Sequence, residues 1–154
     1  MTSSSQQNAK FAFDDRHIRW QPLGELQHFV AKVYQVDQVR KTADFIIKFD
    51  PNEQIVLHRH VAPTNTFVVQ GEHRLYEPDG TPKEVRPIGS FTATPPGTPP
   101  HLECGGEEGA VVLYHMYTTD GSDALFELMN EKGEVTATLT FQDFAAVKAA
   151  GEAA

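Results

Sequence analysis

Short apolar runs alternate with turn signals from about residue 11 to residue 140. The runs are HFVAKVYQV (28–36), DFIIKFD (44–50), QIVLHRH (54–60), TFVVQ (66–70), HRLYE (73–77), GSFTA (89–93) and AVVLYHMY (110–117), followed by FELMN (126–130) and EVTATLTF (134–141). Most are five to nine residues long and rich in Val, Ile, Phe, Tyr and Thr, the composition of β-strands. Asp50-Pro51-Asn52, Gly71, Pro78-Asp79-Gly80 and Pro87-Ile88-Gly89 close runs as turns. The stretch Pro95-Pro96-Gly97-Thr98-Pro99-Pro100 excludes a helix, because proline fixes φ and removes donors. Asn130-Glu131-Lys132-Gly133 reads as a hairpin loop. Strands at this spacing predict an all-β barrel or sandwich in a single domain.

The period changes near the C-terminus. Phe141, Phe144 and Val147 recur every three residues, with Ala145 beside them, which predicts a helix over 141–150. Lys148 would snorkel at the edge of that face. Thr140 is the expected N-cap with Asp143 at the third helical position, and Gly151 the expected stop. Residues 1–10 read as a flexible polar tail and 11–154 as the domain.

With 154 residues the chain can bury a real core. Its formal charge of −8, from 21 acidic and 13 basic residues, argues against nucleic acid as a partner, since phosphate contacts need clustered Lys and Arg. No apolar run of membrane-spanning length is present, and the N-terminus lacks the apolar stretch of a secretory signal. The single cysteine, Cys104, allows no internal disulfide. The expectation is a cytoplasmic protein.

The chemistry gathers on histidine. His58 and His60 lie two apart in a strand-like run, so both side chains share a face and can converge on one metal ion. In a helix the same spacing would set them roughly 200° apart. On spacing alone, two histidines on a barrel face with no metal is an equal reading.

The context adds to the pair. His58-Arg59-His60, continued to Gly71, resembles the first motif of the cupin superfamily, with Thr64 at that motif's acidic position. Gly89, Pro95, Gly97 and His101 resemble the second motif, the histidine falling one residue late and Gly105 replacing a common asparagine. IRWQPLG (18–24) and NEKGEV (130–135) are similar to flanking segments of the acetylacetone-cleaving and 2,4′-dihydroxyacetophenone-cleaving dioxygenases. The resemblance implies a cupin (double-stranded β-helix or jelly-roll) fold with the C-terminal helix. It also implies one divalent metal on His58, His60 and His101, with Fe(II) favoured and Zn, Ni or Mn as alternatives. The implied substrate is a small enolisable ketone, and the implied assembly a homodimer, to be checked by light scattering.

Without the usual glutamate, three neutral imidazoles would leave the metal its full double charge, which favours an anionic bidentate ligand such as an enolate. The function implied is an Fe(II) dioxygenase cleaving a C–C bond of a diketone or aryl hydroxyketone. The alternatives are a non-catalytic metal-dependent binding or sensing protein and a Zn- or Mn-dependent isomerase or lyase.

Several residues have two readings. His115 would be a fourth ligand or a donor to a ligand if its strand face points inward, and otherwise an ordinary strand histidine. Glu103, two after His101, would replace the lost carboxylate, but a solvent-facing place near Gly105-Gly106-Glu107-Glu108 is the plainer reading. Thr64 leaves open a contact to the metal through a water. Glu72 and His73 read as an exposed hairpin rather than a pocket rim. Arg59 is expected on the face opposite the ligands. Phe67, Tyr76, Phe91, Tyr114 and Phe126 are expected in the core, one or two of them walling a pocket. Cys104 reads as a buried inert thiol.

Overall fold

The computed structural model describes residues 11–153; the tail expected over 1–10 lies outside the described residues. The element order is β1 (Phe29–Asp37), β2 (Thr42–Phe49), β3 (His58–His60), β4 (Thr64–Tyr76), β5 (Pro82–Arg86), β6 (Phe91–Thr94), β7 (Leu102–Tyr117), β8 (Ala124–Met129), β9 (Val135–Thr140) and α1 (Phe141–Ala153). Among the described residues no helix is long and apolar enough to cross a membrane.

The strands form two antiparallel sheets in a jelly-roll-like arrangement. The larger runs β1-β2-β7-β4-β5 with β6 also on β4, and the smaller runs β3-β8-β9. An isolated bridge between His58 and His101 ties β3 of the smaller sheet to the residue that leads into β7, and a second joins Pro51 to Gly105. The core is filled from the large sheet by Val33, Phe45, Ile47, Val68, Val112, Tyr114 and Met116, from the small sheet by Leu125 and Phe126, and from the helix by Phe141, Phe144 and Val147. The Phe45 ring meets those of Tyr114, Phe144 and Phe126 at 5.1, 4.5 and 6.3 Å. One aromatic cluster therefore joins both sheets and the helix, and offset or edge packing of this kind adds to plain area burial.

Two expectations change in detail, and one strand, β5, lies outside the expected runs. The runs 66–70 and 73–77 are one strand: Gly71 does not end it but carries it through an irregularity at φ 74°. A Cβ there would lie 2.2 Å from the Gly109 carbonyl oxygen, so glycine is the residue that fits. β5 follows no apolar period. It is a charged edge strand, a usual guard against further pairing. The helix starts as expected, the Thr140 hydroxyl accepting from the Asp143 amide and the Asp143 carboxylate accepting from the Thr140 amide at 2.8 Å. It runs on to Ala153 through Gly151, which is buried beside Gln21 instead of ending it.

Phe67 and Phe91, expected in the core, are 40% and 62% exposed. They pair across β4 and β6, and Phe67 pairs with the exposed Leu113 on β7, so this row lies on the outer face of the large sheet. Tyr114 and Phe126 are buried as expected. Cys104 is a buried free thiol that donates to the Tyr76 hydroxyl oxygen at 3.4 Å.

Candidate metal centre

β3 places His58 and His60 two residues apart on one face, both buried. The proline-rich segment then returns the chain to them. The amides of Gly97 and Thr98 donate to the His60 carbonyl at 3.1 Å, and the Thr98 hydroxyl accepts from the His60 amide. His101 follows, and its backbone exchanges two hydrogen bonds with that of His58, at 3.2 and 2.9 Å. A hydrogen-bonded antiparallel pair sets side chains next to each other. The His101 ring accordingly lies 4.6 Å from that of His58 and 4.9 Å from that of His60.

Each imidazole has its outer nitrogen tied off. His58 Nδ1 donates to the Val56 carbonyl at 2.7 Å and His101 Nδ1 to the Pro99 carbonyl at 2.9 Å. His60 Nδ1 lies 3.1 Å from the Thr64 hydroxyl, whose own proton goes to the Ala62 carbonyl at 3.0 Å. A hydroxyl whose proton is spent accepts, so His60 Nδ1 is the protonated nitrogen there too. All three rings are thus fixed with Nε2 bare, the tautomer a metal ligand needs.

Glu103 lies on the same face, two residues beyond His101, and is buried. Its carboxylate oxygens stand 3.3 Å from His58 Nε2 and 3.4 Å from His101 Nε2. Ligand atoms from His58, His60, His101 and Glu103 all lie within 4.8 Å of one another. Metal–ligand bonds of about 2.0–2.2 Å put neighbouring donor atoms about 3.0–3.4 Å apart. The Nε2 atoms of His60 and His101 are buried without a hydrogen-bond partner among the described residues. Orphaned lone pairs facing a carboxylate are costly, and a cation among them satisfies all four groups. The residues fit one divalent metal.

The electrostatics agree. Burial, with the neighbouring His58 and His101, holds His60 well below its ordinary range, neutral, despite the pull of Glu103. Burial alone would raise Glu103, but His58, His101 and His73 outweigh it and keep the carboxyl well below the usual range. Burial alone would lower His101, and the Glu103 carboxylate outweighs that and raises it.

The structure corrects two expectations, on Glu103 and His73, and decides between the open readings of Thr64 and His115. The carboxylate is not missing: Glu103 supplies it from the second motif, and the solvent-facing reading fails. A divalent ion here would keep a formal charge near one, not two. The Thr64 hydroxyl stands 3.1 Å from His60 Nδ1 and holds that ring in place. His73 is fully buried rather than on an exposed hairpin. It stacks on Phe49 at 5.1 Å and sets Nε2 3.4 Å from Glu103 Oε1. His115 points away from the site and binds Asp44 Oδ1 at 2.6 Å, because Val112, Tyr114 and Met116 take the inward face. Arg59 faces outward as expected, paired with Glu127 at 3.1 Å.

Two cavities meet the metal group from different sides. His58 and Glu103 face an apolar chamber of about 40 Å³ walled by Phe45, Tyr114, Phe126 and Phe144. The Tyr114 hydroxyl is buried there without a partner among the described residues, and burial pushes its pKa well above the ordinary range, so it stays a phenol. His60, His101 and Glu103 face a polar cavity of about 230 Å³ whose wall includes Thr66, Lys83, Arg86 and Thr92.

No protein-family model and no curated protein matches the chain by sequence. Solved structures match it in fold. An RmlC-like cupin protein from Ralstonia eutropha superposes with a TM-score of 0.71 at 14% identity, over 99% of this chain and 93% of the other. An acetylacetone dioxygenase from Acinetobacter johnsonii gives 0.69 at 11% identity, covering 93% of each chain. A DMSP lyase from Ruegeria pomeroyi gives 0.57 at 15% identity, over 77% of this chain and 64% of the other. Likeness at these identities speaks for architecture alone, and the architecture is settled: the chain has the cupin fold.

Proposed function

We propose that the protein is a mononuclear non-haem metal enzyme, an Fe(II)-dependent dioxygenase that cleaves a C–C bond of an enolisable diketone or hydroxyketone. The observation that carries the metal part is the set of Nε2 atoms with their opposite nitrogens tied to Val56, Thr64 and Pro99, facing Glu103. The oxygen chemistry is supported by the likeness of fold to an acetylacetone dioxygenase.

His58, His60, His101 and Glu103 would hold the ion. A bound divalent iron supplies Lewis acidity towards ketone oxygens and access to dioxygen. The protein's own groups do the rest. Thr64, Val56 and Pro99 fix the ligand orientation. The polar cavity beside His60 and His101 admits a small molecule, its volume lying below the roughly 300 Å³ at which larger ligand pockets begin. The Tyr114 hydroxyl, the polar group of the apolar wall, can donate to an oxygen that reaches the chamber.

The test is oxygen uptake by the Fe(II)-loaded chain with a panel of diketones and aryl hydroxyketones. Uptake matched by two carbonyl or acid fragments is expected; no uptake across the panel refutes the dioxygenase reading. A second reading, a redox-neutral lyase or isomerase on Zn or Mn, is favoured by the likeness to a DMSP lyase and by the un-ionised Tyr114 hydroxyl, which can donate a hydrogen bond to a substrate oxygen without giving up its proton. Turnover that persists without oxygen would select it.

A further inference from the structure

The polar cavity has an end away from the metal, and a β-bulge builds it. β5 pairs only with β4, where Leu75 faces Glu84 but Tyr76 faces Pro82. Lys83 is therefore the extra residue. Regular alternation would put Lys83 beside Val85, on the face opposite Glu84 and Arg86. The bulge re-aims it, and Lys83, Glu84 and Arg86 all line the cavity while Val85 does not.

The charges there do not cancel. The Arg86 side chain is 11% exposed, and its Nε and Nη2 donate to the Glu84 carboxylate at 3.1 Å each. Nη1 reaches the Thr66 hydroxyl at 3.5 Å. A guanidinium has five N–H donors in a fixed fork, so donors remain after those bonds. Glu84 neutralises Arg86, and among the described residues Lys83 has no carboxylate within ion-pair distance. The threonines add little donor capacity: Thr94 and Thr98 point their hydroxyls at the carbonyls of Thr64 and His60, and Thr66 and Thr92 face each other. Leu75 pairs with Glu103 of β7 on one side and with Glu84 of β5 on the other, so the cationic donors of β5 stand two strands away from the metal group.

We propose that this cavity takes a small oxo acid, an enolisable ketone bearing a carboxylate, with Lys83 and Arg86 on the carboxylate and the ketone end towards His60, His101 and Glu103. The proposal rests on the metal-site reading and narrows its substrate class. Glu103 cancels one charge of a divalent ion, and Lys83 returns a positive charge at the place where a carboxylate would lie.

The test compares acetoacetate with acetylacetone, its neutral near-isostere, in which a methyl replaces one carboxylate oxygen. Binding to the Zn(II)-loaded full chain is measured by calorimetry, with zinc content determined in parallel. Acetoacetate is expected to bind about tenfold tighter or better, the scale of a hydrogen bond to a charged group. Lys83→Met should remove most of that preference with zinc content unchanged, and Lys83→Arg should keep it. Lys83 is an exposed residue on an edge strand, so its replacement leaves the core intact. Equal binding of the two compounds, no binding of either, or an unchanged preference in Lys83→Met overturns the inference. Zinc bound without an oxo-acid preference sinks this inference alone. Zinc absent from a chain that still binds acetoacetate through Lys83 sinks the metal reading and leaves the carboxylate site standing.

Discussion

Thr64→Val is the sharpest probe of how the metal ligands are held. Valine keeps the branched shape and suits the start of β4, so the change removes one oxygen atom from a fully buried position. Two hydrogen bonds go with it, from His60 Nδ1 at 3.1 Å and to the Ala62 carbonyl at 3.0 Å. His60 Nδ1–H is then left without an acceptor in a buried place, which costs about 1–3 kcal/mol of stability. The ring can escape that cost by moving its proton to Nε2, the nitrogen that faces the metal group. Metal binding must then reverse the shift. Loss of such an outer partner typically lowers metal affinity about 10–100-fold, equivalent to about 1.4–2.7 kcal/mol.

Competition with a chromophoric chelator would read the affinity, and urea unfolding of the metal-free chain would read the stability. Thr64→Ser restores the oxygen and should recover most of the affinity. A Thr64→Val chain that binds metal as tightly as wild type would show that Thr64 does not set the His60 tautomer. The argument for prepared Nε2 lone pairs would then lose its clearest member.

Glu103→Gln keeps the shape but removes the charge that faces His58 and His101; metal content after dialysis should fall well below wild type, and full retention would return the site to three histidines. Metal uptake should weaken as pH falls, because the Glu103 carboxylate raises the pKa of His101 and a proton on that ring must leave first. The logarithm of the affinity should climb with pH up to the raised His101 value and level off above it, and zinc titrations across pH 5.5–8.5 that show a flat line would count against His101 as a ligand (the range is set by the ordinary histidine pKa of about 6.5). His115→Ala should leave metal content unchanged, since its partner is Asp44 on the far face of the sheet. Thr140→Ala should lower stability by about 1 kcal/mol through loss of the helix cap, as read by denaturant midpoint, with metal binding untouched.

The legible parts of the fold were those where a period had one meaning. His58 and His60 needed only the rule that alternate residues share a face. Phe141, Phe144 and Val147 needed only the helical repeat. β7 defeated the same reasoning because both its faces are apolar: Val111 and Leu113 on one, Val112 and Met116 on the other. A strand with apolar residues on both faces does not reveal which face is inward, so its pattern alone leaves His115 unplaced. Phe67 and Phe91 misled for a related reason, since large aromatics imply burial in general but not at one particular position. Glu103 was within reach, because its two-residue step from His101 already placed it on the ligand face. The glycines and glutamates after it suggested a turn, whereas they lie inside β7. His73 carried no local signal; its burial follows from pairing with Gly105, which sets it diagonally across from Glu103.

The position of Glu103 changes what the departures from the cupin motifs mean. In the first motif a threonine stands where an acid is usual, and read alone this suggests a site with a different charge. In three dimensions the acid has moved to β7 and the threonine has become the acceptor that orients His60. The candidate site has three histidines and one carboxylate, and the carboxylate stands on β7 rather than at the corner between β3 and β4. Position 64 therefore carries no charge beside His60, and the metal group's own anion in the polar cavity is Glu103. The cationic end built by Lys83 and Arg86 then faces the metal group across the cavity, with Glu84 already committed to Arg86. Substrate selection in this chain is therefore expected to depend on the β5 bulge as much as on the ligands. Straightening that bulge by deleting Lys83 should leave metal binding intact and abolish discrimination between an oxo acid and its neutral analogue.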